Sequence, residues 1–191
     1  MIGRRDFRYL ALEAVVVLFS IIAALFVDSA REERARRASA QVGVERLMLE
    51  VERNLDELSA MRDDVETRLG QIRTLRDDAP ADAGLAELID RFQGYRTPDL
   101  AEAAWERLSG GDLAGEVDPE LLADAFRLYE WNRQFDQLDQ EISRFVYSET
   151  FYLPERLDTA LAISERIKEQ LLSWAAVAIP QFESFLEREA S

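Results

Sequence analysis

The apolar positions of this chain change rhythm twice. From Tyr9 to Val27 they are nearly continuous, interrupted only by Glu13 and Ser20. As a helix that stretch would be roughly 28 Å long, close to the ~30 Å hydrocarbon thickness of a bilayer. Residues 31–41 are then dominated by charge. From Val44 a three-and-four spacing sets in: positions 44, 48, 51, 55, 58, 62, 65, 69, 72 and 76 hold Val, Met, Val, Leu, Leu, Arg, Val, Leu, Ile and Arg. Such a heptad-like seam predicts an amphipathic helix. Leu47, Met61 and Leu75 widen the stripe beyond a two-stranded coiled coil, which favours packing against later helices of the same chain over a homo-oligomeric coil.

Nothing between Tyr9 and Asp77 forces a stop, since Gly43 and Gly70 each weaken a helix by only about 1 kcal/mol relative to Ala. Asp77-Asp78-Ala79-Pro80 should end this first helix. A short helix is expected from Gly84 to Gln93, with Leu85, Leu88, Ile89 and Phe92 inward. Thr97-Pro98-Asp99 has the form of a helix start, with Thr97 as cap, and Ser109-Gly110-Gly111 the form of a stop. Asp118-Pro119-Glu120 opens a long helix that carries Leu122, Phe126, Tyr129, Phe135, Leu138, Ile142 and Phe145, until Leu153-Pro154 breaks it. A last helix holds Leu157, Leu161, Ile167, Leu171, Trp174 and Ala178, and Pro180 should kink or end it. No alternating strand pattern occurs. The expected fold is all-α: an N-terminal transmembrane helix continuing into an antiparallel bundle of three long helices plus two short ones. Its organisation is a membrane anchor (1–30), a charged helical stalk (31–43) and an acidic helical bundle (44–191).

Composition narrows function mainly by exclusion. The formal charge is −15, and a surface so acidic repels phosphate backbones, so nucleic acid is not an expected partner. Cysteine and histidine are both absent. That removes the usual zinc sites, the Ser-His-Asp and Cys-His nucleophiles and the Glu-x-x-His pairs of di-iron bundles. Carboxylate pairs such as Glu50 and Glu57, or Asp136 and Asp139, stand at helical spacing but read as solvated surface beside arginines, as in Glu45-Arg46 and Glu165-Arg166. Gly111-Asp112-Leu113-Ala114-Gly115-Glu116 is too sparse for a Ca²⁺ loop. The expectation is a non-enzymatic protein with no catalytic residue, no cofactor and no metal.

The opening segment has a rival reading. Arg4-Arg5-Asp6-Phe7 resembles the start of a twin-arginine export signal, which would be cleaved to leave a soluble helical protein. Arg8 departs from that pattern, and Val27-Asp28-Ser29 is a poor cleavage site, so a retained anchor is favoured. Glu13, Val17, Ser20 and Ala24 fall on one stripe of the helix. Glu13 lies near one end of the span and can reach the headgroups, where the cost of a charge is small. Alternatively Glu13, Ser20 and Ala24 face another copy of the helix, which makes a homo-oligomer in membrane lipid. A second functional class follows from that stripe: anchors assembled into a pore, with a ring of Glu13 carboxylates favouring cations. Basic residues flank the span almost evenly. The cost of exporting the arginine-bearing tail points to the amino terminus inside and the acidic domain on the periplasmic side.

Aromatic residues concentrate in the middle third, and Trp105, Phe126, Tyr129 and Trp131 are candidates for a groove that takes a protein partner or ligand. Glu13, Val15-Val16-Val17-Leu18, Ala24-Leu25, Asp28 and Arg31-Glu32-Glu33-Arg34 resemble the amino-terminal pattern of a family of uncharacterised bacterial single-pass membrane proteins. Trp105-Glu106-Arg107-Leu108-Ser109-Gly110-Gly111-Asp112-Leu113, then Asp118-Pro119-Glu120-Leu121-Leu122 and Tyr129, resemble its middle segment. The resemblance implies an inner-membrane helix followed by a helical domain, and it implies no activity. Ser20 stands where glycine is common in that family. The reading reached is a membrane-anchored helical interaction, scaffold or sensor module that self-associates.

Overall fold

A computed structural model describes residues 4–78, 94–146 and 157–189. Among them every regular element is helical. Helix α1 spans Arg4–Asp78, α2 Ala103–Ser109, α3 Pro119–Val146 and α4 Leu157–Glu189, with a 3₁₀ turn at Ala114–Glu116. The expected helix at 84–93, the break at Leu153-Pro154 and the side chain of Phe145 lie outside the described residues.

The periodic seam of α1 becomes the wall of the core. Leu47, Val51, Leu58, Met61, Val65, Leu69 and Ile72 are buried, with Val44, Met48 and Leu55 packed alongside. The covering surface comes from this chain, chiefly α4, whose Leu171, Ala175, Ile179, Phe182 and Phe185 fill the same core. Intrachain packing is therefore what the widened stripe serves.

The direction of each member follows from its contacts. Arg73 of α1 pairs with Glu165 and Glu169 near the start of α4, so those two helices run antiparallel. Arg188, near the end of α4, binds Asp124 near the start of α3 at 2.7 Å. Helix α3 consequently runs parallel to α1: Arg37 meets Glu116 just ahead of α3, and Glu50 meets Tyr129 further along both. The descending member between α1 and α3 is an extended strap, residues 94–102, followed by the short α2. Up, down, up, down is preserved, but the second leg is mostly not helical.

The strap overturns one expectation. Thr97-Pro98-Asp99 does not open a helix, and regular structure begins only at Ala103. A residue before proline is driven towards extended backbone, and Pro98 is buried. Asn54, fully buried in α1, then takes the backbone of Ala101 in a two-point grip. Its Nδ2 donates to the Ala101 carbonyl at 2.8 Å, and the Ala101 N–H donates to its Oδ1 at 2.8 Å. Those groups are then spoken for by a side chain of another element, so a helical turn there would leave Asn54 orphaned in the core.

The other boundaries follow local chemistry. Asp118 Oδ1 accepts the Glu120 N–H at 2.8 Å and caps α3 ahead of Pro119. Gly110 closes α2 by donating its N–H to the Glu106 carbonyl. Gly43 permits the approach of α2 to α1, because a Cβ there would stand 2.7 Å from Leu108 Cδ1. Pro180 was expected to kink or end the last helix, yet α4 continues through it to Glu189. Burial of Phe182 and Phe185 beyond it offsets the lost hydrogen bond, which costs about 3 kcal/mol in a helix interior. Glu165 differs as well: it binds Arg73 and Arg76 of α1, not its neighbour Arg166.

Among the described residues no helix is long and apolar enough to cross a membrane. The side chains of residues 4–15, which include the first part of the expected span and Glu13, lie outside that set. What is described is a collar, Val16–Val27, whose large apolar side chains are exposed right round the helix, from Ile22 at 43% to Phe26 at 74%. Among the described residues no buried position occurs on α1 before Ala40.

Two outcomes test these assignments. Pro180 is exposed, so Pro180→Ala should restore a helix hydrogen bond and raise stability by about 1–3 kcal/mol in chemical denaturation; a loss would mean the core depends on the ring. Lys168, the chain's one lysine, is 2% exposed. Burial, then the Arg68 guanidinium, pushes its amine down to about 8, with Asp64 opposing. The unfolded chain holds that proton to about 10.4, so between the two values unfolding takes up protons and stability rises with pH. Lys168→Met should accordingly show its largest stability advantage over the parent below about pH 8, shrinking towards pH 10. A difference that does not vary with pH would contradict the assignment.

Candidate functional site

Trp105 is the centre of the aromatic cluster. It rises from the first turn of α2 and stacks on Tyr129 of α3, with ring centroids 5.3 Å apart and planes 10° from parallel. Phe126, one turn earlier on α3, meets the same indole at 6.4 Å and 58°. Three of the four sequence-chosen aromatics therefore come together. Trp131 does not join them. It lies on another side of α3, edge-on to Trp174 of α4 at 6.3 Å, while Phe135 packs on Trp174 at 5.0 Å.

Burial decides what the three rings can do. Trp105 is 7% exposed and Tyr129 1%, so they fill the space between α2 and α3 and leave no open slot. Phe126 is 48% exposed and is the face offered to solvent, with the Arg133 guanidinium 5.8 Å over its ring. The arrangement is an aromatic plug with one accessible edge. A protein partner could rest on that edge, whereas a small molecule would have to displace Trp105.

Glu50 holds the plug in place, and sequence reasoning had left it on the solvated face. Its carboxylate accepts the Ala104 N–H at 2.8 Å, the Trp105 N–H at 3.2 Å and the Tyr129 hydroxyl at 2.6 Å. Helix α2 has no capping side chain of its own. Glu50 supplies that function from α1, placing negative charge at the positive end of the helix. The same carboxylate and burial push the Tyr129 phenol far above its ordinary pKa, burial being the larger cause.

A ladder of further contacts continues down α1. Glu57 binds the Arg96 guanidinium with both oxygens at 3.0 Å, which holds its carboxyl below the usual range. Asp64 accepts the Arg96 N–H at 2.7 Å and Arg68 Nε at 2.8 Å. Arg53 pairs with Asp99, and the Tyr95 hydroxyl donates to Asp139 of α3. Asn54, Glu57 and Asp64 thus grip the strap along one face of α1, and Glu50, one turn earlier on that face, holds the start of α2. The sequence did carry a signal: Asn54 is a polar residue in register with the apolar positions 47, 51 and 58, and Glu50 stands one turn before it.

The remaining candidates lie on the collar. The Ser20 hydroxyl donates to the Val16 carbonyl at 2.8 Å, and Ala24 is exposed. Among the described residues no group of three or more potential metal ligands comes together. No protein-family model, curated protein or solved structure matches the chain.

Removing the capping carboxylate leaves two N–H groups and a buried hydroxyl unserved. Glu50→Ala should cost about 2–4 kcal/mol of stability and weaken the near-ultraviolet circular dichroism of the Trp105–Tyr129 stack, while Tyr129→Phe should cost about 1–2 kcal/mol. An unchanged spectrum in Glu50→Ala would show that α2 docks without its cap.

Proposed function

We propose that the protein is a single-pass, membrane-anchored helical module, a scaffold or sensor without enzymatic activity, whose acidic bundle meets a protein partner. One observation carries the reading: the collar Val16–Val27 is apolar on all sides and nothing else in the described chain covers it. A helix packed against one partner needs one apolar stripe, whereas a helix surrounded by apolar solvent is hydrophobic all round. Val16–Val27 alone would extend roughly 18 Å, and the apolar residues from Tyr9 to Val15 bring the segment near bilayer thickness. Asp28, Arg31, Glu32 and Glu33 then mark its exit into water. Ser20 fits this setting, since its hydroxyl is satisfied within the helix and needs no partner in lipid.

The resemblance to uncharacterised bacterial single-pass proteins supports an inner-membrane anchor, and the cost of exporting the arginine-bearing tail supports the amino terminus inside and the bundle outside. Glu13, Ser20 and Ala24 share one stripe and are the residues through which anchors associate. In that role Ser20 and Ala24 serve as small residues that allow close approach. On the bundle, the Phe126 edge beside Trp105 is the surface offered to a partner.

Fractionation of the full chain tests the anchor. It should stay with membranes through alkaline carbonate and high-salt washes. Replacing Leu18 and Ile22 with arginine, at about 2.5–3.5 kcal/mol each at the centre of a span, should release it. A soluble product beginning near Ala30 would overturn the reading.

A further inference from the structure

Glu102 ends the strap and stands at the N-cap position of α2, yet its side chain makes no capping bond. The amino end of α2 is already taken, because Glu50 reaches across from α1 to Ala104 and Trp105. Glu102 Oε1 is buried with no hydrogen-bond partner among the described residues. Facing this carboxyl are Asp136 and Arg133 of α3, Glu106 of α2 and Glu50 of α1, with the Tyr129 phenol close by. Arg133, the one cation in that set, is itself engaged by Glu130 at 2.7 Å. Three carboxylates against one shared guanidinium make this a poor place for a further negative charge.

We propose that Glu102, whose Oε1 is buried without a partner among the described residues, is an acid-operated latch: on acidification its carboxyl takes up a proton and the end of the strap closes more firmly on α3. At neutral pH the charged Glu102 carboxylate, disfavoured first by burial and then by repulsion from Asp136, loosens that end and with it the seating of Trp105 beside Phe126. Acidification therefore fixes the aromatic edge in one arrangement.

The direction follows from linkage. Burial first, then Asp136, raises the Glu102 carboxyl above its ordinary range, and burial followed by Asp139 does the same for Asp136. With the strap seated, these groups hold protons at a pH where a loosened strap has released them. Seating strengthens as pH falls through that interval and weakens as pH rises above it. Glu57, held down by Arg96, keeps its charge there, so the Arg96 anchor persists while the latch closes.

Hydrogen exchange of the full chain in detergent micelles, at about pH 5.5 and about pH 7.5 and corrected for intrinsic rates, reads the strap directly. Amides of residues 99–105 should be protected about three-fold or more better at the lower pH, while the α1–α4 core changes little. Glu102→Gln should show the low-pH protection at both values. Asp136→Asn, an exposed substitution outside the strap, should raise protection at the higher pH and shrink the difference. Equal protection of the parent at both values would overturn the latch. So would looser strap amides on acidification, or a pH difference that survives both substitutions.

Discussion

In the proposed reading, one continuous helix must satisfy two solvents. Helix α1 runs from Arg4 to Asp78 without a break. Its collar is apolar all round, and its distal part is apolar on one face only. Asp28 and the charged residues after it mark the change. The bundle forms where the one-sided pattern begins, and in the proposed reading the collar rests where something other than water surrounds it. In this account Ala40, the first buried position among the described residues, and Val27, the last exposed apolar residue of the collar, are two ends of a short helical spacer. The ion pairs of Arg36 and Arg37 with Glu116 brace the near end of the bundle against that spacer.

The distal part of α1 does two jobs. Its apolar face packs on α4, its polar residues at 54, 57 and 64 hold the strap that brings the chain back beside α1, and Glu50 holds the start of α2. A strap has no hydrogen-bond ladder of its own, so its backbone groups must be served by side chains. Asn54 serves Ala101 near the end of the strap, and Glu50 serves the start of α2. The charge-assisted bonds of Glu50 contribute about 1.5–3 kcal/mol each and the neutral ones of Asn54 about 0.5–1.5, against about 0–1 for an exposed ion pair such as that of Arg53 with Asp99. The aromatic plug is a consequence, because Trp105 can stack on Tyr129 only while Glu50 fixes both the indole's backbone and the phenol.

Regular elements were legible where the periodic signal was long. The α1 seam, the opening of α3 at Asp118-Pro119 and the close of α2 at Gly110 all stand where spacing and capping residues put them. The strap was not legible. Thr97-Pro98-Asp99 has a helix-start signature, but a local signature yields to Asn54, distant in sequence and adjacent in space. Pro180 does not end α4 for a similar reason, since burial of Phe182 and Phe185 outweighs a local preference. Of the site, the partnership of Trp105, Phe126 and Tyr129 could be guessed from their clustering, whereas Trp131 fell on another face of its helix. Glu50 looked like any surface carboxylate, because nothing beside it in the sequence records what it touches.

Nitroxide labels placed singly at successive positions from 16 to 27 of the full chain, reconstituted in lipid vesicles, probe the surroundings of the collar most directly. The account predicts that every label, whichever side of the helix it occupies, relaxes faster with dissolved oxygen than with a water-soluble nickel complex, and that this preference reverses beyond Asp28. Nickel accessibility recurring with helical period along the collar would show that one of its sides faces water, and the lipid-embedded anchor would be contradicted.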